Sequence, residues 1–132
     1  MSNIEDRFNN FVRLVEKLRS SEGCPWDRDQ TTRSLKRYLL EETRETIEAI
    51  DSNDADHIKE ELGDLLYLIV LLAQIHSENN LFDISGVIDE ISRKMLRRHP
   101  HVFGDKTCGS TDELRQQWLD IKSKEKSGRD EI

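Results

Sequence analysis

The chain has 132 residues and a mass of 15.5 kDa, a length that suits one domain with a modest core. Charged residues make up 36% of it and the formal net charge is −7, which argues against a nucleic-acid or anionic-membrane partner because either would favour a basic face. Only two prolines and six glycines interrupt the chain, so its composition favours helices.

Cysteine content and hydropathy predict the compartment. Cys24 and Cys108 lie far apart in the sequence, and Met1–Ser20 is amphipathic and charged, so no export signal is expected. The longest apolar run, Leu65–Ala73, has nine residues, far fewer than a membrane-spanning helix needs. We therefore expect a reduced, cytoplasmic protein that does not enter a membrane.

The first half of the chain carries two predicted helices. Apolar residues recur with a helical period over Asn3–Arg19, which predicts the first helix. A glycine and a proline break this pattern, so Ser20–Gln30 is predicted to be a loop. Thr31 or Thr32 can cap the second helix, which reaches Ile50.

The third predicted helix is the most hydrophobic element. Asp54 or Asp56 can cap it, and its pattern continues to about Ser77. Between Leu65 and Ala73 it is apolar on all sides, whereas a surface helix would keep one polar face. We therefore expect this helix to be the most buried one.

Two further helices complete the predicted fold, an all-α bundle of about five helices. Asp83 or Ser85 opens the fourth helix, which ends near Arg98, and Thr111 begins the last helix after a loop.

The predicted domain organisation is simple. A single helical domain covers residues 1–122, and the charged residues 123–132 are expected to form a disordered tail.

Four acids on the second and third helices lie on the faces that should be buried. With Leu35 set at 0°, Glu42 falls at about 340° and Glu45 at about 280°, inside or at the rim of the apolar arc. That arc is formed by Tyr38, Leu39, Ala49 and Ile50. Glu61 and Asp64 fall on the apolar stripe of the next helix. Acids off these arcs, such as Glu41, are expected to be solvated, although Glu41 is also a candidate general base.

Buried carboxylates indicate a metal site. An isolated buried carboxylate costs several kcal/mol, so such acids must be paired, protonated or metal-bound. Two acid pairs with i, i+3 spacing on adjacent antiparallel helices form an oxygen-rich pocket that suits Mg²⁺ or Mn²⁺. A ferritin-like di-iron site would need Glu-x-x-His pairs, which neither helix has. The sequence therefore predicts a hard-metal site between helices two and three, suited to phosphate chemistry.

The fourth and last helices add candidate ligand contacts. Lys94 and Arg98 flank the core-facing stripe and suit phosphate oxygens, but the same spacing fits two surface cations equally well. Trp118 and Lys122 form another i, i+4 pair, although a tryptophan there is more often a core or interface residue. Trp26, in the Gly/Pro loop, is a better candidate for contact with a mobile ligand.

An ordered set of short motifs resembles the MazG family of nucleoside triphosphate pyrophosphohydrolases. The motifs are CPWD at Cys24–Asp27, QT at Gln30–Thr31, SL at Ser34–Leu35, YLLEE at Tyr38–Glu42, EAI at Glu48–Ile50, EELGDLL at Glu60–Leu66, FD at Phe82–Asp83 and RRHPHVF at Arg97–Phe103. The resemblance covers about residues 8–122, and this chain is similar to a single-domain version of the family. Thr32 departs from the pattern, since the family often has histidine after Gln-Thr; the departure concerns the loop rather than the metal site.

The resemblance implies an all-α enzyme, related to the dimeric dUTPases, that hydrolyses (d)NTPs to (d)NMP and pyrophosphate in nucleotide-pool housecleaning. It implies Mg²⁺ held by the E-E-x-x-E and E-x-x-D acids, which here are Glu42, Glu45, Glu61 and Asp64. It further implies that Lys94 and Arg98 contact phosphates and that Trp118 and Lys122 contact the nucleotide.

The sequence leaves two alternative functions open, and it also predicts an assembly state. The alternatives are an enzyme specialised for one non-standard nucleotide and a non-catalytic oligomeric module that senses nucleotides. Because Leu65–Ala73 is apolar all round, the other helices of one chain are not expected to cover it. We expect a homo-oligomer, a dimer or a dimer of dimers, that buries parts of helices two and three, as the resemblance also implies.

Overall fold

The computed structural model describes residues 3–130, and side chains through residue 128. No strand occurs in that part of the chain, which confirms the all-α class. The helices are α1 (Ile4–Arg19), α2 (Pro25–Asp29), α3 (Lys36–Ser52), α4 (Ala55–Glu78), α5 (Ile84–Arg98), α6 (Pro100–Phe103) and α7 (Thr111–Asp130). They form two compact units, Met1–Ile84 and Ser85–Ile132. Among the described helices, none combines the length and apolar content needed to cross a bilayer.

Two short helices lie in segments that the sequence predicts to be loops. Helices α2 and α6 each have a proline in the first turn, Pro25 and Pro100. Proline suits this position because its fixed φ is helical and its missing N–H would have no partner there. The described chain therefore has seven helices instead of about five, and these prolines begin helices rather than loops.

Helix α3 begins later than the predicted threonine caps. The Thr31 N–H donates to Ser34 Oγ at 2.8 Å, and the Ser34 N–H donates to Thr31 Oγ1 at 3.0 Å. These reciprocal bonds close a turn that competes with the helix for backbone groups. Regular helix consequently starts at Lys36.

A two-residue connection joins α3 to α4 and makes them an antiparallel hairpin. Asn53 ends α3 in the left-handed region with φ 58°, a conformation that asparagine tolerates better than most residues. The Asp54 carboxylate accepts from the backbone N–H groups of Asp56 and His57, which confirms Asp54 as the cap. At the far end, Thr32 Oγ1 lies 3.3 Å from His76 Nε2, as an antiparallel arrangement requires.

Helix α4 supplies most of the core of the first unit. The buried apolar cluster consists of Val15, Leu35, Leu68, Val70, Leu71 and Ile75. One side of α4 stays uncovered, because Leu62, Leu66 and Ile69 are each 40% or more exposed. Ile50, placed in the apolar arc of α3 by its periodicity, is also exposed, which corrects that expectation. The core-facing residues near it are Thr46 and Ala49.

The guanidinium of Arg19 and the phenol of Tyr67 hold α2 in place. Arg19 Nη1 donates to the carbonyls of Asp27, Arg28 and Gln30 at 2.7, 3.0 and 2.8 Å. Its Nη2 donates to Glu78 Oε1 at 2.6 Å, so one side chain joins the ends of α1, α2 and α4. Tyr67 donates to the buried Asp27 carboxylate, and burial followed by this bond raises the pKa of Tyr67.

In the second unit, α7 continues well past the predicted domain boundary. Residues 123–130 are helical, which corrects the expectation of a disordered tail there; residues 131–132 lie outside the described residues. Glu125 accepts from Arg97 Nε at 2.5 Å and from Arg98 Nη2 at 2.8 Å, and these two bonds lower the pKa of Glu125 to about 2. Such charge-assisted bonds stabilise a segment that composition alone would leave frayed.

Candidate metal centre

The α3–α4 hairpin brings the four predicted acids together. Glu42 and Glu45 lie on α3 and Glu61 and Asp64 on α4, each with a carboxylate oxygen within 4.8 Å of one from every other member. Their register follows from the turn, since Glu42 and Asp64 both lie eleven residues from Asn53 and Glu45 and Glu61 both lie eight. In an antiparallel pair, residues equally far from the turn face one another.

The cluster has a buried side and an open side. Glu61 is only 7% exposed and Glu42 is half-buried, whereas Glu45 and Asp64 are exposed. The expectation that all four point into the buried interior is therefore wrong for Glu45 and Asp64. The reason is that α3 and α4 leave one side of their hairpin uncovered. This open side gives a solute access to the carboxylates.

Two buried oxygens of the cluster have no hydrogen-bond partner. They are Oε2 of Glu42 and Oε2 of Glu61. Buried polar atoms are nearly always paired, because an unpaired one loses its hydration without compensation. Near the other oxygen of Glu61, Oε1, lies His57 Nε2 at 3.4 Å. These two oxygens without partners indicate that a cation belongs in the cluster.

Burial and mutual repulsion raise the pKa of two acids of the cluster, Glu42 and Glu61. Burial, followed by the charges of Glu45 and Asp64, raises the pKa of Glu42 to about 7. The same causes raise the pKa of Glu61. These groups interact, so they titrate as a set rather than singly. Without a cation, the cluster therefore retains proton near neutral pH.

The donor set fits a hard divalent cation. Carboxylate oxygens are the ligands that Mg²⁺ and Mn²⁺ prefer. Oxygens on opposite sides of an octahedral Mg²⁺ are about 4.2 Å apart, twice the usual bond length. The separation limit of 4.8 Å in the cluster is only slightly larger. One ion can therefore reach all four carboxylates after small side-chain shifts.

Trp26 lies in the same unit as the acids. Its ring packs edge-on against Tyr38, with centroids 5.5 Å apart, and the indole remains 43% exposed. Tyr38 precedes Glu42 by one helical turn on α3, so the aromatic pair and the cluster share one stretch of helix. The surface around Trp26 is thus an exposed aromatic face on α2, which Arg19 fixes in position.

The other predicted contacts lie in the second unit, where Arg98 is buried rather than a surface cation. Its guanidinium carbon lies 4.9 Å from the centroid of the Trp118 ring, and its Nε is buried without a partner. Lys94 is half-buried and borders a cavity of about 280 Å³ together with Glu125. Lys122 is exposed. Of the four predicted ligand contacts in this unit, Arg98 and Trp118 contact each other.

Sequence reasoning missed two residues, His57 and Glu125. For His57 a signal was present, because it precedes Glu61 by one turn on the same helix. For Glu125 there was none, since its partners Arg97 and Arg98 are 28 and 27 residues away and no local pattern predicts such a pairing.

The fold and the cluster define an all-α protein whose helix hairpin pairs four acids that could hold a metal ion. A family model described as the MazG nucleotide pyrophosphohydrolase domain matches residues 30–103, which include the whole acid cluster. The chain belongs to this family, which confirms the resemblance seen in its motifs.

Individual relatives agree with this assignment. The chain is 53% identical over 119 residues to a Thermotoga maritima protein named nucleoside triphosphate pyrophosphohydrolase/pyrophosphatase MazG, covering 90% of this chain and 45% of that protein. It is 39% identical over 123 residues to the Escherichia coli K12 nucleoside triphosphate pyrophosphohydrolase, covering 92% and 47%. The chain therefore spans about half the length of these curated relatives.

A solved structure supports the fold. The crystal structure of a mazG-related protein from Thermotoga maritima superposes with a TM-score of 0.70 at 28% sequence identity. The match covers 87% of this chain and 98% of that one.

Proposed function

We propose that this chain hydrolyses nucleoside triphosphates to the monophosphate and pyrophosphate, using Mg²⁺ held by Glu42, Glu45, Glu61 and Asp64. The observation that carries this proposal is the pair of buried, unpartnered carboxylate oxygens within a cluster of four acids. Both relatives named above are called nucleoside triphosphate pyrophosphohydrolases, which supports the reaction. Mn²⁺ prefers similar ligands and is the expected substitute.

The four acids take different places in the proposed site according to their burial. When bound, Mg²⁺ supplies neutralisation of the triphosphate charge and polarisation of a phosphoryl group. Glu61 and Glu42 form the buried side of the site and would hold the ion there. Glu45 and Asp64 are exposed and would complete the ligand set on the open side, which the phosphates can reach. The carboxyl of Glu42, with its pKa raised to about 7, would have to be deprotonated to serve as a ligand.

Contacts in the second unit are proposed from the motif positions. Lys94 and Arg98 would contact phosphate oxygens, and Trp118 and Lys122 would contact the rest of the nucleotide. Arg98 shares one of its terminal nitrogens, Nη2, with Glu125, and its buried Nε has no partner. That free donor supports a phosphate contact, because a buried guanidinium N–H without a partner is costly.

In the first unit, Trp26 is proposed to contact the nucleotide through its exposed indole face. Its edge-on packing against Tyr38 leaves the ring 43% exposed. Aromatic faces bind nucleobases by stacking, at about 1–3 kcal/mol per base. Because stacking is tolerant of base identity, this contact fits a broad set of nucleotides.

A homo-oligomer, at least a dimer, is also proposed. Two stripes with helical spacing run along the hairpin: Leu40, Ile47 and Ile50 on α3, and Leu62, Leu66 and Ile69 on α4. Each of these side chains is 40% or more exposed. Obligate interfaces are large and apolar, and a second copy offers the same surface in return.

The test is a panel of NTPs and dNTPs with Mg²⁺ in which pyrophosphate and orthophosphate are measured separately. We expect pyrophosphate release by the wild type and by Glu60→Gln, an exposed acid beside the cluster, but not by Glu61→Gln. Release of orthophosphate alone would contradict cleavage to the monophosphate.

The same panel separates the alternative functions. Turnover of several common nucleotides is expected from a housecleaning enzyme, whereas turnover of one modified nucleotide would indicate the specialised enzyme. Metal-dependent nucleotide binding without turnover would indicate a sensor.

A further inference from the structure

His57 is a polar neighbour of Glu61, the most buried acid of the cluster. It lies one helical turn before Glu61 on α4, and its Nε2 is 3.4 Å from Glu61 Oε1. The imidazole is 42% exposed, whereas the Glu61 side chain is only 9% exposed. We propose that His57 is a positioning residue that orients the Glu61 carboxylate for the cation, an inference that rests on the proposed function.

The two oxygens of Glu61 differ because of this neighbour. Oε1 has the imidazole beside it, whereas Oε2 is buried and has no hydrogen-bond partner. An imidazole N–H directed at Oε1 would fix the rotation of the carboxylate and leave Oε2 for a different ligand. Ligating carboxylates are generally held in this way, and losing the supporting contact typically weakens metal binding by about 10- to 100-fold.

The backbone beneath His57 is itself fixed. Asp54 Oδ1 accepts from the backbone N–H of Asp56 at 3.0 Å and of His57 at 3.4 Å, so the cap of α4 anchors the turn that carries the imidazole. The Asp54 cap therefore fixes the turn that carries His57, and His57 in turn positions Glu61. A side chain projecting from a capped first turn loses less freedom on making its contact than one from a frayed end.

His57 acts through Glu61 rather than as a ligand. Among the described residues, the group whose ligand atoms all lie within 4.8 Å of one another contains the four carboxylates and no histidine. A glutamine at position 57 keeps an amide N–H donor, whereas an alanine removes it and is the better helix former. Comparing the two substitutions therefore separates the effect of losing the N–H donor from any effect on helix stability.

The experiment is calorimetric titration of the nucleotide-free chain with MnCl₂ and with MgCl₂. The variants are His57→Ala, His57→Gln and Glu61→Gln. The matched control is His76→Ala, on the same helix but twelve residues beyond Asp64, about 18 Å along the axis. We expect about tenfold weaker binding of both ions by His57→Ala, and affinities within about threefold of the wild type for His57→Gln and His76→Ala.

Each contrary result has its own meaning. Wild-type affinity in His57→Ala, with binding lost in Glu61→Gln, would overturn the role of His57 and leave the metal site intact. Equal weakness of His57→Gln and His57→Ala would show that the imidazole binds the ion itself, which also overturns a positioning role. Undiminished binding by Glu61→Gln would refute the metal site, and with it the proposed function.

Discussion

Replacing Glu42 by glutamine should stabilise the cation-free protein at neutral and alkaline pH. The pKa of Glu42 is raised from 4.5 to about 7, mainly by burial and then by the charges of Glu45 and Asp64. At about 1.36 kcal/mol per pKa unit this shift corresponds to about 3 kcal/mol. Solvent screening of a half-buried carboxyl reduces it, so we expect a gain of about 1–2 kcal/mol.

The sign of the effect depends on pH. The folded state holds the Glu42 proton more tightly than the unfolded chain, so this group contributes stability fully below pH 4.5. That contribution is lost as the pH rises through about 7. The glutamine variant keeps a neutral side chain throughout. The difference between variant and wild type should therefore be near zero at pH 4 and grow to its full value by pH 8.

Thermal melts in EDTA and in Mg²⁺ measure this difference. A gain of 1–2 kcal/mol raises Tm by about 3–10 °C for a domain of this size, and it should appear at pH 8 in EDTA. A ligand at one hundred times its Kd stabilises the folded state by about 2.7 kcal/mol, so we expect a gain of this size from Mg²⁺ in the wild type and a smaller one in Glu42→Gln. Glu48→Gln, an exposed acid on α3 outside the cluster, should melt like the wild type throughout.

One result would refute the electrostatic reasoning. If Glu42→Gln melts below the wild type at pH 8 in EDTA, the carboxylate is a partner that stabilises the fold rather than a charge that strains it. In that case the unpartnered oxygen of Glu42 would not indicate a cation.

Three further predictions concern other parts of the chain. Lys94→Ala should lower kcat/KM by about 10- to 100-fold with little change in Tm, since one charge-assisted contact is worth about 1.5–3 kcal/mol; unchanged kinetics would mark Lys94 as a surface cation. Leu66→Glu should shift the protein towards monomer in sedimentation velocity, unlike Glu60→Gln, and a wild-type chain that is already monomeric at micromolar concentration would contradict the proposed interface. The bonds to Arg98 and Arg97 lower the pKa of Glu125 to about 2. The stability that the Glu125 carboxylate gives the folded state should therefore be lost as the pH falls from 4.5 towards 2. Glu125→Gln should lack that loss in acid melts.

The acid cluster could be predicted because it depends on local rules. Helical spacing places Glu42 with Glu45 and Glu61 with Asp64, and a connection of two residues forces the two helices to run antiparallel. The sequence does not show how much of that surface other elements cover. Periodicity identifies an apolar arc, but Ile50 within it is exposed and Asp64 beside it is open to solvent.

Long-range pairings could not be predicted for a related reason. The burial of Arg98 depends on Trp118 and Glu125, which lie 20 and 27 residues further along the chain. No periodic signal connects positions so far apart, and a charged C-terminal segment is usually solvated. The short helix α2 escaped prediction because a proline marks both loops and first helical turns.

The tight connection at Asn53 determines where the chain can tolerate insertions and deletions. One extra residue between the turn and Glu61 would rotate that carboxylate by about 100° and advance it by about 1.5 Å, carrying it off the shared face. An extra residue after Ile75 would leave both acid pairs in register. Length variation among functional homologues should therefore be absent between Glu42 and Asp64 and permitted beyond the far end of α4. The 23-residue stretch from 42 to 64 therefore needs a fixed length, as well as its four acids, to keep the cluster together.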